Sequence, residues 1–225
     1  MIPLRDTIPS RNAPWTVRLL MAANIAAFAY QLAHWRHVDL IIYRFGVVPS
    51  SWALDSVRDI LDLPRLLLTL VTSQFLHGDL LHLGSNMLYL WIFGDNVEDR
   101  FGSLRFLLLY LGSGVAAALV QLLMGPQSWL PMIGASGAIS GVLGAYVVCF
   151  PTGRVVTLMP WFVWTTVEIP AFAFLGVWFL LQWTQGMATL GQVANAGGVA
   201  WWAHIGGFVV GMIAALRMRP RRRTF

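Results

Sequence analysis

The 225-residue chain contains no lysine: all 15 of its basic residues are arginine, set against 10 acidic residues for a net charge of +5. Charge of either sign is scarce, at 11% of residues, where a soluble domain carries about a quarter. That shortage argues against a soluble globular domain. With 57% hydrophobic residues and a mean hydropathy of +0.66, the chain reads as an integral membrane protein of one domain. Its 11 Trp and 13 Phe suit membrane interfaces and lipid-facing helices. The one cysteine, Cys149, excludes an intrachain disulfide and a cysteine-based metal site, and reads as a small apolar packing residue. The arginines gather at the ends of apolar segments and form no basic groove, so they mark topology and not a nucleic-acid partner. No internal repeat or low-complexity tract is visible.

Six apolar segments are predicted, at about Trp15–Ala33, Leu80–Asp95, Leu104–Met124, Ser136–Phe150, Val167–Trp183 and Val199–Met218. The expected fold is an all-α polytopic membrane protein with six transmembrane helices. The first segment follows Arg5, Arg11 and Arg18 and reads as a signal anchor, since the rest of the chain is itself apolar. Eleven arginines fall on the face that holds both termini, five of them at positions 217–223. The other four, Arg36, Arg44, Arg58 and Arg65, share one long loop with four aspartates. The positive-inside rule makes both termini cytoplasmic, residues 219–225 a basic cytoplasmic tail, and the second, fourth and sixth segments outside-to-inside. Within the His34–Asp79 loop, Leu63–Val71 is apolar but too short to span, which predicts a partly embedded interfacial helix. The weaker alternative is a small external cap.

Polar side chains inside these segments carry the functional reading. His82 and Asn86, four residues apart, share one helical face near the outer end of the second segment. For that pair alone, a site and simple packing between helices are equally open. His77 reads as a loop or structural histidine. His204 lies about one turn into the sixth segment, followed on its face by Gly207 and Gly211, a small-xxx-small pattern that lets helix backbones meet. Gly137, Gly141 and Gly144 offer a matching face on the fourth. That segment is only about 22 Å long, against an apolar core about 30 Å thick, so it should start below the outer surface, with Ser136 submerged. Ser136 with His204 supplies a nucleophile and its base. No carboxylate lies at their depth, since Asp95, Glu98 and Asp99 sit at the cytoplasmic end, so the pair is a dyad. Oxyanion donors are available from the Ser136 N–H, His82 and Asn86.

Four stretches, in order, resemble the rhomboid intramembrane serine proteases: His77–Met87, Glu98–Ser103, Gly134–Gly137, and Ala203–Gly207 with Gly211. The resemblance, to the minimal six-helix bacterial form, implies Ser136 as nucleophile and His204 as general base. It further implies an oxyanion hole of His82, Asn86 and the Ser136 amide, and a structural turn of Glu98, Arg100 and Gly102. It implies hydrolysis of a peptide bond in or near the transmembrane segment of another membrane protein, in the cell (inner) membrane, with the site open to the outer face. Neither metal nor cofactor is implied. Entry would pass the fifth segment, with Gly186–Gly198 as a mobile cap. The Trp-Arg pair that some members carry in the first loop is missing, since Trp52 precedes Ala53.

Two rivals remain. A catalytically inactive relative that binds membrane clients should have lost Ser136 or His204, and this chain keeps both. A transporter or metal-dependent protein using His77, His82 and His204 as ligands lacks an acidic partner and the His-Glu-x-x-His motif, and the five-residue gap between His77 and His82 suits one helical face poorly.

Overall fold

The computed structural model describes residues 1–52, 63–159, 165–190 and 199–218. It is mostly helical. Strand β1 (Ile2–Asp6) precedes helix α1 (Trp15–Ala33), and a short helix α2 (Val38–Phe45) and helix α3 (Leu63–Thr72) follow. The bundle is completed by α4 (Leu80–Phe101), α5 (Ser103–Met124), α6 (Ser136–Cys149), α7 (Ala171–Thr189) and α8 (Trp201–Arg217). Strands β2 (Arg154–Met159) and β3 (Thr165–Pro170) lie between α6 and α7. Among the described residues α1 and α5 are long and apolar enough to cross a membrane, whereas α6 and α8 are apolar but shorter.

Helix α6 is the axis of the molecule. Every residue from Gly137 to Tyr146 is buried, because α4, α5 and α8 surround it. A Cβ on Gly207 would collide with the Gly137 carbonyl, one on Gly211 with the Gly141 carbonyl, and one on Gly144 with the Phe208 carbonyl. Glycine at these points lets α6 and α8 pack backbone against backbone. Gly141 also meets Ser113 of α5, and Gly137 meets Ala117. Toward the opposite end of α6 from Ser136, Phe93, Tyr146 and Phe174 cluster, with Phe93 edge-on to Tyr146 at 4.9 Å between ring centroids. Large apolar side chains such as Leu19, Leu108, Leu123, Phe172, Leu180 and Leu216 are exposed on the outside of the bundle.

Helix α4 runs past Asp95, the expected end of the second segment, to Phe101. The charged turn stays helical because it is anchored. Glu98, 5% exposed, accepts from the backbone N–H groups of Thr16 and Val17 at 3.0 and 2.9 Å and from the Ser103 hydroxyl at 2.7 Å. Its carboxylate thus satisfies the orphan donors at the start of α1, where negative charge is favoured. Gly102, at φ 83°, makes the reversal into α5. Arg100 is at the same junction, its Nε buried.

Three further expectations need correction. The fold is not wholly helical, because β1, β2 and β3 form an antiparallel sheet in the order β1–β2–β3. The fifth helix is Ala171–Thr189, not about 167–183, since Thr165–Pro170 pairs with β2 from Arg154↔Pro170 to Met159↔Thr165. Its β-branched residues suit a strand, and Pro170 ends the ladder and leads into the helix. Positions 186–189 of the expected cap continue that helix, and 191–198 lie outside the described residues. So do the tail at 219–225 and Asp55, Arg58, Asp59 and Asp62 of the long loop. The apolar stretch of that loop is α3, with Leu67 and Leu68 exposed and Thr69 and Leu70 buried.

Asp6, at the end of β1, is held against the bundle by the Tyr146 hydroxyl and by Asn96 Nδ2, which donates at 2.8 Å. Burial, reinforced by Asp95 nearby, raises its carboxyl from 3.8 to about 6 despite the bond from Tyr146. The folded chain therefore retains a proton that the unfolded chain releases. The stability contributed by this group is complete below about pH 4 and is lost as pH rises through about 6. Thermal midpoints of purified protein in detergent should fall across that window relative to Asp6→Asn, which has nothing to titrate there. Parallel pH profiles for the two proteins would remove Asp6 as the cause.

Candidate active site

Ser136 opens α6, so its N–H has no acceptor within the helix. The approach to it is pinned from both sides. Val47 and Met132 exchange backbone hydrogen bonds at 3.1 and 2.7 Å, and Gly134 N–H donates to Ser73 O at 2.9 Å. Gly134 has φ 119°, a conformation that disfavours any side chain, and a Cβ there would lie 2.7 Å from His82 Nε2. One turn on, the Ser140 hydroxyl donates to Ser136 O at 2.6 Å.

His204 sits in the first turn of α8, where Gln121 Oε1 accepts from Ala203 N–H at 3.2 Å. Its Nε2 is 2.8 Å from Ser136 Oγ. The distance follows from the glycine crossing, because Gly137 and Gly207 meet one residue beyond Ser136 and three beyond His204. Trp178 of α7 lies tilted near the imidazole at 6.1 Å and Trp201 stands edge-on at 6.2 Å. His204 Nδ1 is 2.7 Å from Gln182 Oε1 of α7, a neighbour that sequence reasoning missed. The available signal was a lone amide at the end of the apolar run Leu175–Leu181.

His82 and Asn86 come to the same place from α4. The Asp79 side chain caps that helix by accepting from His82 N–H at 2.8 Å. Gly78 N–H points to His82 Nδ1 at 3.4 Å, which leaves Nε2 to carry the ring proton toward Gly134. Asn86 is 6% exposed, and its Nδ2 has no hydrogen-bond partner among the described residues. A buried donor without an acceptor is costly in a finished fold, and this one lies 3.8 Å from where a Gly134 Cβ would be. Asn86 and His82 thus present N–H groups to the start of α6. Ser136, His204 and His82 are only partly buried.

His77 is 1% exposed and touches His82 edge-on at 5.1 Å. Its backbone is clamped by the Gln31 amide in both directions, at 2.9 and 3.0 Å. Burial, with His82 adjacent, pushes its imidazole down to about 4, so it is neutral at physiological pH. Among the described residues no group of three His, Cys, Asp or Glu side chains is arranged to hold a metal.

The chain therefore belongs to the class of apolar helical bundles that enclose a serine–histidine pair beside clustered N–H donors. Residues 64–221 match the Rhomboid domain, and the chain belongs to the rhomboid family, whose members are embedded in membranes. It is 28% identical to RHOMBOID-like protein 5 of Arabidopsis thaliana, covering 96% of this chain and 72% of that protein. It is also 28% identical to the Saccharomyces cerevisiae Rhomboid protein 1, mitochondrial, covering 78% of this chain and 49% of the relative. Identity to Rhomboid protease GluP of Bacillus subtilis is 34%, covering 65% of this chain and 25% of that protein. The chain thus spans about half of one of these relatives and a quarter of another. The family includes serine intramembrane proteases, which act on transmembrane substrates in the bilayer.

Proposed function

We propose that the protein is an intramembrane serine endopeptidase that hydrolyses a peptide bond in or near the transmembrane segment of other membrane proteins. The observation that carries this reading is the 2.8 Å approach of Ser136 Oγ to His204 Nε2. His204 takes the hydroxyl proton as Oγ attacks the scissile carbonyl, forming a tetrahedral oxyanion. The Ser136 N–H, His82 Nε2–H and Asn86 Nδ2–H stabilise that charge. His204 then protonates the departing amine, and water, activated by the same imidazole, releases the acyl group from Ser136. Glu98, Arg100 and Gly102 act at the far end of α4 as a structural turn.

In this reading α1, α4, α5, α6, α7 and α8 all cross a bilayer, forming one membrane domain with both termini cytoplasmic and the dyad facing the outer side. Six crossings with short α6 and α8 fit a site set below the outer surface, where α3 lies along the interface. The bilayer in question is the cell membrane, and substrates enter past α7. The test is cleavage of a fluorescently labelled single-pass membrane protein by the purified chain in lipid, with no added metal. Cleavage should persist in excess chelator and vanish in Ser136→Ala. Loss with chelator, or persistence in Ser136→Ala, would sink the reading.

A further inference from the structure

The second nitrogen of His204 is not left to solvent. Gln182 Oε1 lies 2.7 Å from Nδ1. A carbonyl oxygen has only lone pairs to offer, so Nδ1 must carry the ring proton, which leaves the Nε2 lone pair facing the Ser136 hydroxyl. That is the tautomer a general base needs. The opposite tautomer would point an N–H at Ser136 and could take no proton from it.

Gln182 is 7% exposed and belongs to the buried face of α7 formed by Ala171, Phe174, Leu175, Gln182 and Gly186. It is the polar member of that face. One turn earlier Trp178 lies over the same imidazole, its plane inclined by 34°. Helix α7 therefore supplies both a wall for the ring and an acceptor for its inner proton.

Resting on the protease reading above, we propose that Gln182 is a positioning residue of the reaction, holding His204 in the Nδ1–H tautomer and in the plane that meets Ser136. The working unit spans three helices: Ser136 on α6, His204 on α8 and Gln182 on α7. A neutral amide fixes the imidazole's orientation and raises its basicity less than a carboxylate in the same place would. Enforcing the wrong tautomer in a serine protease triad costs about 10⁴ in kcat. Removing the acceptor leaves both tautomers accessible, so a smaller loss follows, about 10- to 100-fold, in line with the removal of an outer partner from a ligating histidine.

Gln182 acting only as packing glue between α7 and α8 would give different results in three proteins compared in the cleavage assay. Gln182→Met keeps the volume and removes the acceptor. Gln182→Glu keeps the acceptor and adds charge. Rates are taken per folded molecule, from the amplitude of the thermal unfolding transition, so a variant that folds poorly still reports. Gln182→Met should lower kcat about 10- to 100-fold with KM within about twofold of wild type. Gln182→Glu should recover kcat above the Met variant. It should also move the acid limb of the kcat–pH profile upward by about one unit or more, since an anion beside Nδ1–H favours imidazolium. Among the described residues the titratable group that acts on His204 is His82 of α4, which is unchanged in all three proteins. Wild-type kcat in Gln182→Met, or an unmoved acid limb in Gln182→Glu, overturns the role of Gln182 and leaves the protease reading intact. A wild-type chain that cleaves no substrate overturns the protease reading itself.

Discussion

Alanine at His204 is expected to be as damaging as alanine at Ser136, and the two substitutions together no worse than either alone. Each should lower kcat/KM by about 10⁴ or more, because neither half of a nucleophile–base pair works without the other. Without its imidazole neighbour, 2.8 Å away, Ser136 presents a neutral hydroxyl of negligible nucleophilicity. Without the hydroxyl, the imidazole has no proton to take. On the proposed mechanism, what survives in all three variants is the field of the N–H groups of His82, Asn86 and the residue 136 amide, which would stabilise whatever tetrahedral species water forms. The floor is therefore common, and the losses are non-additive. The measurement is kcat/KM on the labelled single-pass substrate for wild type, both single variants and the double. A serine-reactive probe adds a second reading, labelling Ser136 in wild type and far more slowly in His204→Ala. Losses that multiply in the double variant, or full probe labelling in His204→Ala, would mean that the two residues act independently.

The convergence of these side chains in the candidate site is legible in the sequence, for a physical reason. In an apolar chain a polar side chain is rare, so Ser136, His204, His82 and Asn86 stood out, and glycine spacing on the fourth and sixth segments indicated which backbones meet. The start of α6 at Ser136 and the bounds of α1 are the same in sequence and structure. Other features depend on partners distant in sequence. Helix α4 continues beyond Asp95 because Glu98 finds the N–H groups of Thr16 and Val17, 82 and 81 residues away. Strand β1 is a five-residue segment containing a proline, and its pairing is fixed by β2. Gln182 closes the apolar run Leu175–Leu181, and nothing in its spacing pairs it with His204. Only the geometry of α7 against α8 brings it to His204, because hydropathy reports the depth of a side chain and not its azimuth.

That geometry rests on the α6–α8 crossing, and Gly211→Ala should show how much depends on it. The added Cβ would overlap the carbonyl group of Gly141. Backbone inside a helix has no rotamer to escape into, so the two helices must move apart. Overpacking of this kind costs about 1–3 kcal/mol, and more where the obstacle is rigid; a value at or above the upper end is expected here. Gly112→Ala on α5 and Gly176→Ala on α7 are the controls, since a Cβ at either meets nothing within 4 Å. Helix propensity favours alanine by about 0.8–1.0 kcal/mol, so these two should be neutral or slightly stabilised. Thermal unfolding in detergent separates the two sets. Activity should fall further than stability in Gly211→Ala, since moving α8 from α6 also carries His204 Nε2 away from Ser136 Oγ, and a misplacement of about 1 Å costs on the order of 10²-fold in rate. A Gly211→Ala protein as stable and as reactive to the serine probe as Gly112→Ala would mean that the crossing tolerates a wider spacing, and that the glycines do not set the distance between nucleophile and base.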